Sequence, residues 1–340
     1  MILKKEIGFT FDDVLIEPGY SDLDSRSEVS LNCDLFGIQR TLPIISSNMD
    51  YITGPVMAEA MWNAGGLGIL HRFAPNDERL DWIDYLGSKN IPVFMAVGVR
   101  NYTDILAWVD DLRFSTYKPH SICIDVAHGH MDKVGKMINA IKALNADIFV
   151  IAGNVATAEG FKFLSKAGAD AIKVGIGPGA VCTTRVVAGV GVPQLSAIME
   201  CAEVDSNAKL IADGGIRTSG DIVKALAAGA DFVMLGHMLS GATETPGPSV
   251  DIGNGRTYRP YRGQSTLGVN STIYAKEGVA GLVEEKGPVG NILHQLAGGI
   301  RSGMSYVGAR NISELQEFAV FRPVSSASVI ESSPRISKVM

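Results

Sequence analysis

Eight short apolar runs, each followed by a stretch with helical spacing, dominate this 340-residue chain. They are LPIISSN (42–48), GLGIL (66–70), VFMAVGV (93–99), SICIDVA (121–127), DIFVIAGNV (147–155), DAIKVG (170–175), KLIADGG (209–215) and DFVMLG (231–236). Apolar runs without polar alternation suit parallel strands covered on both faces. Between them, GFKFLSKAGAD (160–170) and SGDIVKALAAGAD (219–231) carry helical periodicity and close with Gly-Ala-Asp, the glycine suiting a helix C-cap. Such a repeat predicts an α/β fold, a (β/α)8 TIM barrel within residues 1–310. A doubly wound open sheet is the alternative, because a strand count does not prove closure.

In a closed barrel the chemistry collects in the loops after the strands. Those loops are specific here: SSNMD, LHRF, DVAHGH, GNVAT, GIGPGAVCTTR, DGGIRTSGD and GHMLSG. Residues 241–290 are less periodic and rich in Gly and Pro. They read as an excursion, with the role of a lid, before a last helix PVGNILHQLAGGIRSGM. The tail, residues 311–340, is expected to be poorly ordered unless docked on a neighbour.

Composition narrows the partners. With 46% hydrophobic and 19% charged residues the chain can bury a large core, which excludes general disorder. A net charge of −6 argues against a broad nucleic-acid or anionic-membrane surface, but not against small phosphorylated ligands, which backbone amides can hold. The four cysteines, Cys33, Cys123, Cys182 and Cys201, form no CxxC pair and no metal-ligand spacing, so reduced thiols in a cytoplasmic setting are expected. The N-terminal MILKKEIGFTFDDVL is too short and acidic for a signal peptide, and no run approaches ~18 apolar residues.

Most cysteines are small buried hydrophobes, and Cys33, Cys123 and Cys201 read that way. Cys182 instead follows a glycine loop at a strand end, where amides could stabilise a thiolate; a free thiol of pKa ~8.5 needs such help. The residues alone leave nucleophile and buried thiol evenly balanced. Thr184 either holds a group near the sulfur or bonds its own backbone. Gly177, Gly179, Gly214, Gly215 and Gly236 lie after strands six to eight, where barrels often bind phosphate. Asp213 suits ribose hydroxyls or a turn cap. Asp125, His128 and His130 in DVAHGH favour a hydrogen-bonding platform for a cofactor over a metal site, since no further ligands cluster. Glu277, in the lid, is an acid/base candidate or a solvated charge.

GIGPGAVCTTR with the following GVGVPQLSAI, SSNMD, AGNV, IADGGIR and GGIRSGMSYVGA resembles the inosine-monophosphate dehydrogenase / GMP reductase family, over roughly residues 8–310. The resemblance implies that Cys182 attacks C2 of a purine nucleotide, where a nicotinamide cofactor moves a hydride. On the dehydrogenase branch IMP gives hydride to NAD and water releases XMP. On the reductase branch GMP loses ammonia and NADPH delivers hydride to form IMP. The substrate side would be Ser47, Met49, Gly177, Gly179, Asp213, Gly214, Gly215, Gly236, His237, Tyr261, Gly263 and Gln264. The cofactor side would be Asp125, Val126, Ala127, Asn154, Gly175 and Gly177. A K+ ion at the carbonyls of Gly177, Gly179 and Cys182, and a homotetramer, are further implied.

Within the family several features lean to GMP reductase. The second strand leads directly to the third, without the CBS modules usual in dehydrogenases, and DVAHGH and LHRF look like the reductase loops. The lid has Ile273-Tyr274 where dehydrogenases carry an Arg-Tyr pair whose Arg activates water. Glu277 matches a reductase lid glutamate that, with Thr184, helps expel ammonia. Against these, YRG (261–263), EGVAG (277–281) and HQLAGGIRSGM (294–304) look more like dehydrogenase sequence. Ala180 stands where the family has a phosphate-binding Ser, His237 where Ser or Gly follows the strand-eight glycine, and Gln264 where Met follows YRG. The expectation is therefore GMP reductase. The alternatives are IMP dehydrogenase without CBS modules, a related enzyme for a modified or deoxy purine nucleotide, and a non-catalytic nucleotide binder.

Overall fold

The computed structural model describes residue 4 and residues 6–253, 255–263 and 277–332. All eight predicted strands form: β1 (Ile44–Ser46), β2 (Leu67–Leu70), β3 (Val93–Val97), β4 (Pro119–Asp125), β5 (Phe149–Val155), β6 (Ala171–Val174), β7 (Lys209–Asp213) and β8 (Phe232–Leu235). They are parallel, and β8 pairs back onto β1 through Val233↔Ile44, Met234↔Ile45 and Leu235↔Ser46. That pairing closes the barrel and removes the open-sheet alternative.

The helices α1 (Pro55–Asn63), α2 (Asn76–Ser88), α3 (Tyr102–Asp111), α4 (Asp132–Leu144) and α5 (Ala158–Lys166) follow β1 to β5 in turn. A short α6 (Thr184–Val187) and then α7 (Gln194–Ala202) follow β6, α8 (Ser219–Ala227) follows β7, and α9 (Val289–Val307) ends the barrel. Because β2 reaches β3 through α2 alone, no further domain is inserted there. The glycines expected to stop two helices do so: Gly168 (φ +98°) and Gly229 (φ +106°) lie just beyond α5 and α8 in the left-handed region that glycine adopts cheaply. Thr218 caps α8 in a capping box with Asp221, which is why the loop after β7 turns sharply into a helix.

Side-chain parity divides the core. Ile45, Ile69, Phe94, Ala96, Cys123, Ile151, Ala171, Ile211, Phe232 and Met234 fill the barrel interior, while the alternate strand residues pack outward against the helices. The N-terminal end is stoppered by a hairpin, Cys33–Leu35 with Ile38–Arg40, whose Leu35 joins the inner cluster and whose Phe36 stacks on Phe149 at 4.5 Å. Cys33, Cys123 and Cys201 behave as small core residues; burial pushes each thiol up to about 12.

Two segments carry more structure than their sequences suggest. Within the excursion, β9 (Thr257–Arg262) and β10 (Ala280–Glu284) pair antiparallel, and Val250–Asp251 adds to β9. Residues 311–332 of the tail carry secondary structure. They form α10 (Ile312–Phe318), a strand Phe321–Pro323 and a short helix Ala327–Glu331. The strand pairs antiparallel with Val14–Ile16, so this part of the tail packs on the chain's own N-terminal segment.

Candidate active site

At the C-terminal mouth one cleft with two arms brings most of the candidate residues together. One arm, a cavity of about 270 Å³, is lined by Ser47, Met49, Gly179, Ala180, Asp213, Gly214, Gly215, Gly236, His237 and Tyr261. The other, about 170 Å³, is lined by Asp125, Val126, Ala127, Asn154, Gly175, Gly177, Cys182, Thr184, Gly263 and Glu277. Ser47, Met49, Pro178, Gly179, Asp213, Gly214 and Tyr261 belong to both, so the arms meet at Asp213 and the glycine loop. Gln264, Ile273 and Tyr274 lie outside the described residues.

The glycine loop needs glycine for steric reasons. A Cβ on Gly175 (φ +149°) would meet the Asp213 carbonyl oxygen at 2.0 Å, and one on Gly214 (φ +94°) would meet Pro178 at 3.0 Å. The chain after β6 and the chain after β7 thus touch backbone to backbone, and Gly179, Gly214 and Gly215 from these two loops line the first arm.

Cys182 sits on this loop with its amide donating to the Gly179 carbonyl at 3.0 Å. Its thiol donates to the Thr184 hydroxyl at 3.2 Å, and that hydroxyl donates to Glu277 Oε2 at 2.7 Å. Glu277 reaches the nucleophile because the lid returns as a strand. Thr183 N donates to the Glu277 carbonyl and Val279 N to the Val181 carbonyl, each at 3.0 Å, framing a bridge between Cys182 and Gly278. Gly263 N donates to the Val279 carbonyl, so β9 leads the lid back over the loop. Arg262 fixes the other side, its Nε donating to Asp50 Oδ2 at 2.8 Å. A thiol, a hydroxyl and a carboxylate in sequence can pass a proton to or from a group bound at the sulfur.

At the floor of the second arm lies a residue that the strand ends do not reveal. Lys173, 2% exposed, points into the barrel from β6 and contacts Asp125 Oδ1 at 2.6 Å, Asn48 Oδ1 at 3.3 Å and Asp213 Oδ2 at 3.6 Å. Its signal was available, since a lysine in the middle of DAIKVG has the inward parity of Ala171. Burial pushes Asp125 up, but Lys173 and then Arg72, whose Nε lies 3.6 Å from Oδ2, more than offset it, so the carboxyl ends below its ordinary value. Burial likewise pushes Lys173 down, and the carboxylates outweigh it. Asn154 Nδ2 donates to Asp213 Oδ2 at 2.9 Å and to the Gly175 carbonyl at 2.8 Å, so Asp213 is held from beneath rather than capping a turn.

Asp125 Oδ2 is buried without a hydrogen-bond partner among the described residues. Apart from the Arg72 ion pair at 3.6 Å it is an acceptor with spare capacity next to Val126 and Ala127, which suits the hydroxyl donors of a dinucleotide cofactor. The two histidines of DVAHGH make no metal site: their rings are 6.3 Å apart, and no group of three ligating side chains occurs among the described residues. His237 places its ring 5.6 Å from that of Tyr261, on the first arm opposite Ala180. Burial lowers its pKa, so its neutral form is favoured.

His71, from LHRF, serves the fold instead. Its Nδ1 accepts from Phe73 N at 3.1 Å, its ring meets Trp82 edge-on at 4.9 Å, and burial depresses it from 6.5 to about 4. The unfolded chain therefore takes up this proton first as pH falls below 6.5, and stability is lost progressively down to about pH 4. The loss from this group amounts to roughly 3 kcal/mol. Thermal unfolding across that pH window should show a smaller acid-side fall in Tm for His71→Asn, which keeps an acceptor for Phe73 N. An unchanged fall would assign the acid sensitivity elsewhere.

The mouth of this closed (β/α)8 barrel thus joins a glycine-cradled arm to a carboxylate-lined arm that holds Cys182. Residues 8–335 match the IMP dehydrogenase / GMP reductase domain, and the chain belongs to that family. It is 47% identical to inosine-5'-monophosphate dehydrogenase of Halalkalibacterium halodurans, over 96% of this chain and 95% of that protein. The counterpart from Nitrosopumilus maritimus is 33% identical over 96% and 98%. With the Aquifex aeolicus enzyme the identity is 53%, over 62% of this chain and 46% of that one, so the matched stretch spans about half of the relative. Among solved structures, a cysteine-to-alanine variant of GMP reductase from Trypanosoma brucei, in complex with guanosine 5'-monophosphate, superposes with a TM-score of 0.90 at 30% identity, covering 98% of both chains. No helix among the described residues is long and apolar enough to cross a membrane.

Proposed function

We propose that this chain catalyses the reductive deamination of GMP to IMP, with NADPH as hydride donor. The observation that carries this reading is the Cys182–Thr184–Glu277 chain, whose carboxylate stands 2.7 Å from a hydroxyl that itself lies 3.2 Å from the sulfur. Expelling an amine from C2 requires a proton, and this relay delivers one where the leaving nitrogen would sit. The nucleotide phosphate would rest on the amides of Gly179, Gly214, Gly215 and Gly236. Asp213 would accept its ribose hydroxyls, and the purine would face Cys182 over Met49. Addition of the Cys182 sulfur to C2 and loss of ammonia leave a thioimidate. The cofactor, held against Asp125, Val126, Ala127 and Asn154, would supply the hydride there, and release of the sulfur gives IMP. Thr184 and Glu277 would move the protons.

The competing reading is IMP oxidation to XMP, favoured by the relatives named IMP dehydrogenase at up to 53% identity. That reaction needs a base for water, and residues 264–276, QSTLGVNSTIYAK, contain no arginine to fill the family's usual role. The discriminating experiment follows cofactor absorbance with GMP plus NADPH and, separately, with IMP plus NAD. Oxidation of NADPH with release of ammonia is expected. Reduction of NAD by IMP without activity on GMP would replace the proposal with the dehydrogenase.

A further inference from the structure

We propose that Lys173 is a positioning residue serving both arms of the cleft: one buried ammonium fixes Asp125 as an acceptor for the cofactor and Asp213 as an acceptor for the nucleotide. The inference rests on the reading of the arms given above and adds to it a residue at the floor of the second arm.

Parity places the Lys173 side chain inside the barrel, in the layer directly above Ala171, where an aliphatic residue would complete the packing. A charge there carries a large desolvation cost, and a well-packed apolar group is often as stable or more so. Stability therefore gives no reason for the lysine, whereas its contacts do. Nζ is bonded to Asp125 at 2.6 Å and lies 3.6 Å from Asp213, so two carboxylates from β4 and β7 share one cation from β6. Asn154, from β5, ties Asp213 to the carbonyl of Gly175, so the network ends on the loop that presents Cys182. Asp125 faces Lys173, Arg72, Asn48, Cys123 and Asp213; only the first two bring positive charge, and Arg72 is the more distant. Without Lys173 the buried Asp125 carboxyl would lose its nearest cation and take up a proton, becoming a donor where the ligand's hydroxyls need an acceptor.

The test is direct binding to the intact protein by calorimetry, with GMP alone and with NADP+ in the presence of GMP. The Lys173→Met variant keeps the length and removes the charge. Its NADP+ dissociation constant should rise by about tenfold or more near neutral pH. It should fall again as pH is raised and Asp125 ionises, whereas the wild-type constant stays flat over the same range. GMP binding should weaken to a smaller extent, because the Asp213 contact is longer. If Lys173→Met does not fold, the double variant Lys173→Met/Asp125→Asn removes both buried charges together. It should bind NADP+ weakly at every pH. Wild-type-like NADP+ binding by either variant, or a weakened constant in Lys173→Met that does not vary with pH, would overturn the role given to Lys173. Failure of the wild-type protein to bind GMP and NADP+ would instead remove the functional reading, and this inference with it.

Discussion

Cys182→Ala is expected to abolish turnover, by roughly 10⁴-fold or more, the scale seen when a covalent nucleophile is removed. GMP binding should stay within about threefold of wild type, since the side chain adds little uniform binding. The separation follows from the cleft: Gly179, Gly214, Gly215, Gly236, Asp213 and Tyr261, proposed above to hold phosphate and ribose, line the first arm, which the Cys182 side chain does not. Steady-state rates with GMP and NADPH, beside calorimetric titration with GMP, check both halves. Mass spectrometry of the wild-type protein quenched with GMP should show a purine adduct on Cys182 that the variant lacks. Appreciable turnover by the variant would end the covalent mechanism.

The second large effect concerns the lid carboxylate. Glu277→Gln keeps the size of the side chain and a hydrogen bond to the Thr184 hydroxyl but removes the proton acceptor and donor, so kcat should fall by about 10²–10⁴-fold. KM for GMP should change little, because Glu277 lines the second arm and not the phosphate arm. Thr184→Val should cause a loss of similar size, and the double variant should be barely worse than either single one, as expected for residues that act as one relay. Additive losses would show that the 2.7 Å contact between Thr184 and Glu277 does not transmit the proton. A fall in the amount of Cys182 adduct formed from GMP would place the defect at ammonia loss rather than at hydride transfer.

Much of the architecture was legible in the chain itself. Each barrel strand could be located because a parallel strand buried on both faces is an uninterrupted apolar run, and the ends of α5 and α8 because glycine marks them. The loop carrying Cys182 stood out because three of its five residues from Gly175 to Gly179 are glycine and Pro178 stands between two of them. The pairing of Phe321–Pro323 with Val14–Ile16 was not legible, because the tail is polar and lacks periodicity and its partner lies more than 300 residues earlier. Lys173 was passed over because attention to strand ends discounts a charge in mid-strand, although counting by twos from Ala171 turns it inward.

By itself the sequence determined where the eight strands lie and which glycine-rich loop carries Cys182, since these depend on residue type and spacing along a few residues. Only the tertiary structure decided which of those ends meet. Glu277 reaches Thr184 across 93 positions, Asp213 reaches Asn154 across 59, and Lys173 reaches Asp125 across 48. Hydrogen bonds over such separations exist only because β8 closes on β1 and the lid returns as a strand. Periodicity is a local property of the chain, whereas closure brings distant strand ends to one mouth and sets two carboxylates around a single buried cation.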